Sequence, residues 1–74
     1  MTNDEQYLSK IGQRIRELRT AKNWTQEELA HRSGMHRTYI STLELGERNL
    51  AALNLRRMAR AFGVSVSELL QGIS

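Results

Sequence analysis

Between Gln26 and Leu45 the chain runs QEELAHRSGMHRTYISTLEL, and this stretch limits the fold more than any other. Leu29, Ala30, Met35, Ile40 and Leu43 recur at helical spacing on both sides of Gly34. Two short helices joined by a glycine turn account for that pattern. Ala30 is small enough to let the two approach, and Gly34 accepts the left-handed backbone on which a helix stops. The second of them is polar on the side that a packed joint leaves outside.

The remaining elements are also expected to be helices. The chain has 74 residues, no proline and no cysteine, and no alternation of β-branched residues between turns. Leu8, Ile11, Ile15 and Leu18 form one apolar stripe, predicting a first helix from Asp4 or Tyr7 to Lys22. Asn23 ends it and Trp24 anchors the connection. Thr25 and Glu28 form an S/T-x-x-E pair that opens the second helix as a capping box. The third helix is expected over His36–Leu45, with Gly46 as its stop. The fourth covers Leu50–Phe62 and ends at Gly63. Ser65 and Glu68 repeat the capping-box spacing ahead of a short fifth helix, Val66–Leu70. The expectation is a single all-α domain over 1–74, with residues 1–6 a flexible tail and the two-helix unit at 25–45.

On a helical wheel the third helix has two sides. Tyr39, Ile40, Leu43 and Glu44 fall on the inner one. Arg37, Thr38, Ser41, Thr42 and Leu45 fall on the outer one. A polar ridge with an arginine near its N-terminus is what reading the DNA major groove requires. The groove is about 12 Å wide and admits one helix, arginine pairs with guanine, and threonine offers a hydroxyl or a methyl. The formal charge of +3, with nine arginines among eleven basic residues, agrees in sign with a polyanionic partner.

The segments TQEELA, GMHRTYIS, LELGERN and ARAFGVSVSELL together resemble the lambda-repressor/Cro-like (XRE) helix-turn-helix family. The resemblance runs from about Ile11 to Leu70. It implies a compact five-helix DNA-binding domain that acts as a homodimer on a pseudo-palindromic double-stranded operator. RTYIS followed by LGERNL is similar, more narrowly, to the small controller proteins of restriction–modification systems, which time endonuclease expression relative to the methyltransferase.

Carried onto this sequence, the resemblance implies base contacts from Arg37 and Thr38, with Ser41 and Thr42 beside them. It implies backbone contacts from Gln26, Arg48 and Asn49, and from the Tyr39 hydroxyl. Arg19 and Glu44 match an ion pair of the family. Leu50, Ala51 and Leu53 are the expected association patch. Arg56, Arg57 and Arg60 lie opposite the buried face of helix four and are expected to be solvated. The chain departs from the family where many members have a proline near position 50. Leu50, Ala51 and Ala52 stand here instead, which leaves the start of helix four open, with Asn49 a candidate N-cap.

Other chemistry finds no support in the residues. His31 and His36 fall on different helices without a cysteine or a converging carboxylate, so no metal and no cofactor is expected. No G-x-S-x-G, P-loop or H-E-x-x-H motif and no nucleophile–base set occurs, so the expectation is a non-enzyme. No apolar run approaches the roughly 20 residues of a membrane span, and a cytoplasmic location is expected. RNA polymerase is a further expected partner, through Glu27, Glu28 or Glu47. An antitoxin, a phage-type repressor of the same fold and an RNA- or protein-binding module stay open as alternatives.

Overall fold

The computed structural model describes residues 3–73. Five helices follow in order: α1 (Asn3–Ala21), α2 (Gln26–Ser33), α3 (Arg37–Glu44), α4 (Ala52–Phe62) and α5 (Val66–Leu69). α3 packs against both α1 and α2, α4 against α2, and α5 against α4.

The core joins all five. Ile11 and Ile15 come from α1, Leu29 and Ala30 from α2, Ile40 and Leu43 from α3, Met58, Ala59 and Phe62 from α4, and Leu69 from α5. Leu29, Ile40 and Met58 have no exposed surface. Burial of each such side chain contributes on the order of 1.5–3 kcal/mol.

One spacing recurs at the start of α2 to α5. Each carries an apolar residue just before its N-cap and another at the fourth helical position: Trp24 and Leu29, Met35 and Ile40, Leu50 and Leu55, Val64 and Leu69. All eight are buried in the core or packed against it. These are the positions of a hydrophobic staple, which fixes the angle at which the chain enters a helix. Trp24 also stacks on Phe62, with ring centroids 5.7 Å apart. The expected anchor therefore ties the α1–α2 connection to α4. Asn23, at φ 60°, makes the left-handed turn that precedes it.

Three expectations about element ends are corrected. Residues 3–6 are not a tail but the first turn of α1. Asp4 and Glu5 lie there, at the positive end of the helix dipole. Residues 1 and 2 of the expected tail lie outside the described residues. α4 begins at Ala52 rather than Leu50, with Ala51 as an N-cap that makes no side-chain bond. Asn49 is too early in the chain to cap it. The Thr25–Glu28 capping box is only half formed: the Glu28 N–H donates to the Thr25 hydroxyl at 3.0 Å. The Glu28 carboxylate instead meets Arg32 Nε at 2.9 Å, one helical turn on. The Ser65–Glu68 box is complete in both directions.

Two features of α1 hold the molecule's ends together. Arg14 donates from Nε to the Leu69 carbonyl at 3.1 Å and from Nη2 to the Glu68 carbonyl at 3.0 Å. A cation thus satisfies carbonyls at the C-terminus of α5, where the helix dipole favours it. Gly12 is buried where α1 crosses the end of α3. A β-carbon there would overlap the Leu43 carbonyl oxygen and lie 2.8 Å from that of Glu44.

Candidate nucleic-acid interface

α3 is pinned from behind and open in front. Ile40 and Leu43 lie in the core, whereas Arg37, Thr38 and Leu45 are exposed and Ser41 is half-buried. Arg37, Ser41 and Leu45 follow one another at four-residue steps and so form one ridge. Neither Arg37 nor Ser41 makes a side-chain hydrogen bond among the described residues.

The helix starts at a histidine cap. His36 Nδ1 accepts the Thr38 N–H at 3.1 Å, which puts the ring proton of a neutral imidazole on Nε2. Before it, the chain turns at Gly34, whose φ of 70° is the left-handed conformation expected from its position. Ser33, buried inside the turn, donates to the Leu29 carbonyl at 2.7 Å. No buried side-chain polar atom is left without a partner among the described residues.

Arg19 and Glu44 form the ion pair expected of them. Nε of Arg19 lies 2.6 Å from Glu44 Oε2 and Nη2 lies 3.0 Å from Oε1, while Nη1 donates to the Trp24 carbonyl at 2.7 Å. The hydrogen bond to Glu44 raises the Arg19 pKa above its ordinary value, and burial opposes it. Gln26 Nε2 adds a third bond to the same carboxylate, at 3.1 Å. Gln26 is thereby tied to the ion pair, and its second amide N–H makes no further hydrogen bond among the described residues.

Some of the expected contact residues spend their polar groups internally. The Thr42 hydroxyl donates to the Thr38 carbonyl at 3.0 Å, within its own helix. The Tyr39 hydroxyl donates to the Asn49 carbonyl at 3.0 Å rather than standing ready for a phosphate. The Arg48 guanidinium lies over the Tyr39 ring, 5.3 Å from its centre. Tyr39, on the side of α3 away from the Arg37–Ser41–Leu45 ridge, therefore ties the loop after α3, with Arg48 and Asn49, to α3 itself.

Of the expected association patch, Ala51 and Leu53 are exposed, Leu53 by 57%. Leu50 is half-buried against the core instead, because its position before the α4 cap turns it inward. Arg16 was not singled out by its sequence. It lines a surface depression of about 210 Å³ together with Gln26, Ser41 and Leu45. Its one sequence signal is its place one helical turn before Arg19 on α1.

A short helix on a glycine turn, pinned by apolar residues and edged with arginine and hydroxyl side chains, defines a helix-turn-helix protein with a lambda-repressor-like fold. Residues 15–69 match the helix-turn-helix family model, and the chain belongs to that family of DNA-binding transcription regulators. It is 42% identical over 71 residues to control protein C.BamHI of Bacillus amyloliquefaciens, an overlap of 95% of this chain and 85% of that one. It is 42% identical over 60 residues to control protein C.SmaI of Serratia marcescens, covering 81% and 71% of the two chains. The fold superposes on the crystal structure of the restriction-modification controller protein C.AhdI of Aeromonas hydrophila with a TM-score of 0.81. Sequence identity is 47%, and 84% of this chain and 94% of that one are covered.

Proposed function

We propose that this regulator acts as a symmetric homodimer on a pseudo-palindromic operator and controls a restriction–modification locus. The observation that carries the DNA-reading role is the ridge of α3. Its back is locked by Ile40 and Leu43, while exposed Arg37 and half-buried Ser41 make no side-chain hydrogen bond among the described residues. Similarity to two control proteins and to C.AhdI supports the biological setting.

In this reading Arg37 and Thr38 contact bases, Arg37 by a bidentate pair to guanine. Ser41 reads beside them, and Thr42, its hydroxyl turned back into the helix, contributes its methyl. Gln26 donates its second amide proton to a phosphate at the N-terminus of α2. Arg48 and Asn49 hold the backbone on the other side of α3, positioned by Tyr39. Ala51 and Leu53 belong to the dimer contact, which sets the two α3 helices about 34–36 Å apart, one turn of DNA. Glu27, Glu28 or Glu47 is the acidic group offered to RNA polymerase, with Glu28 already paired to Arg32. The protein performs no catalysis and works in the cytoplasm. Among the described residues no helix is long and apolar enough to cross a membrane.

The test is selection of bound duplexes from a random pool, joined to sedimentation of the free protein. The expected outcome is an inverted repeat with half-sites one helical turn apart, bound by a dimer with a dissociation constant on the order of 10⁻⁸–10⁻¹¹ M. No preferred duplex, or a monomer at tens of micromolar (roughly a thousandfold or more above even the weak end of that range), counts against it.

A further inference from the structure

We infer that Leu45 is a specificity-determining residue that reads the C5 methyl of a pyrimidine in the major groove. The inference rests on the DNA-reading role of α3 proposed above. Leu45 is 66% exposed, more than any other large apolar side chain of the described residues. An isolated exposed leucine is ordinary on a protein surface, so its surroundings decide what it does.

Those surroundings are polar and cationic. The depression that Leu45 lines is otherwise formed by Arg16, Arg19, Gln26, Ser41 and Glu44, all from α1, α2 or α3. No residue of α4 or α5 contributes, so Leu45 does not extend the patch at Ala51 and Leu53. An apolar protein partner would have to strip water from Arg16 and Gln26 to reach it. A DNA duplex meets both demands at once. Its phosphates suit the arginine, and the one apolar group it displays in the major groove is the pyrimidine methyl.

The ridge sets the register. Leu45 follows Arg37 by eight residues, about 12 Å along the helix axis. Where α3 runs along the groove, that distance spans between three and four base-pair steps of about 3.4 Å each. Leu45 is also held in place, since its N–H bonds to the Ser41 carbonyl at 3.3 Å and its backbone stays helical at φ −79° and ψ −6°. Its backbone is therefore ordered before contact, and only the side-chain rotamers remain to be fixed. Covering one methyl contributes about a fourfold gain in affinity per half-site.

Both thymine and 5-methylcytosine carry this methyl. The experiment starts from the selected operator and the full chain. One arm replaces each thymine singly by deoxyuridine, and the other replaces each cytosine singly by 5-methylcytosine. Affinities are measured at one salt concentration for the native protein and for Leu45→Ala. In the expected result one thymine per half-site, several pairs from the Arg37 contact, weakens binding about fourfold when its methyl is removed. Leu45→Ala binds the two duplexes equally. A gain on 5-methylcytosine that Leu45→Ala abolishes supports the same contact with the other source. Methyl effects of equal size in both proteins, at every position, overturn the inference while leaving the function intact. If the native protein prefers no duplex, the function proposed above fails first.

Discussion

The Arg19 guanidinium and the Glu44 carboxylate meet edge to edge across 25 residues of sequence, with N–O distances of 2.6 and 3.0 Å. Their side chains are 13% and 4% exposed, so each is costly to leave alone. Removing one partner of such a pair destabilises by about 3–5 kcal/mol in full burial, and the lower end applies to a pair that keeps one wet edge. Glu44→Ala is expected to cost about 3 kcal/mol of stability, read as a fall in the urea midpoint at unchanged m. A double replacement, Arg19→Met with Glu44→Leu, should recover much of the loss because no charge remains stranded. Equal destabilisation of the single and double variants would show that the site needs the ion pair itself.

Gly12 supplies a second check on how α3 is held. An alanine there would set its β-carbon against two backbone carbonyls, which cannot swing aside as a side chain tip does. α1 and the end of α3 must then separate. Gly12→Ala is expected to destabilise by roughly 1–3 kcal/mol, although alanine is the better helix former by about 1 kcal/mol. A variant more stable than the native chain would mean that α1 does not approach α3 this closely.

These two positions show where the sequence was readable and where it was not. The core stripes, the stop at Gly34, the capping box at Ser65 and the two sides of α3 are local patterns, and the structure has them where expected. Gly12 looks locally like a weak point in a helix. Its reason lies in carbonyls more than thirty residues ahead. Arg14 looks like an outward charge until α5 arrives beneath it, 54 residues later. The α4 start carries no capping side chain that would mark it in sequence. The Leu50–Leu55 staple spacing was the signal that marks it. The candidate site was legible in its outward ridge but not in its internal bonds. Wheel positions do not tell that Tyr39 and Thr42 donate to protein carbonyls.

Arg37 and Arg48 should separate base reading from backbone holding. Arg37→Ala is expected to weaken operator binding by roughly 1–3 kcal/mol per half-site and to relax the preference at one base. Arg48→Ala should weaken operator and random duplexes alike and flatten the salt dependence by about one unit of slope. Titrations of both duplexes across several salt concentrations measure this. Equal loss on both duplexes for Arg37→Ala would remove it from base reading.

Tyr39 separates two ways of helping DNA binding. Tyr39→Phe keeps the ring under Arg48 and removes the bond to the Asn49 carbonyl. The bond is solvent-accessible, so the stability loss should stay at or below about 1 kcal/mol. Loop order is the sharper readout. Amide exchange at residues 47–51 of the free protein should quicken in Tyr39→Phe, and operator affinity should fall with it. Tyr39→Leu, which also removes the platform for Arg48, should bind more weakly still. Unchanged exchange with reduced affinity would instead assign the hydroxyl a direct phosphate contact.

The Ser65–Glu68 box makes the α5 cap sensitive to acid. The Ser65 N–H donates to Glu68 Oε1 at 3.1 Å, and the Glu68 N–H donates to the Ser65 hydroxyl at 3.0 Å. The backbone bond first, and the Ser65 side chain second, lower the Glu68 pKa from its ordinary value. A lowered pKa means that the folded chain prefers the carboxylate. The cap's contribution is therefore fully present above the ordinary glutamate range of about 4.3 and fades as pH falls through the lower folded value. NMR titration should place the Glu68 carboxyl below the ordinary glutamate value of about 4.3. Ser65→Ala should raise it only partway, because the N–H at that position remains. As Glu68 protonates, amide exchange in α5 should quicken before the core opens, since Leu69 and the Arg14 clamp still hold the segment's other side. If Glu68 titrated at the ordinary glutamate value, the reciprocal bond would not persist in solution, and acid would unfold α5 only together with the core.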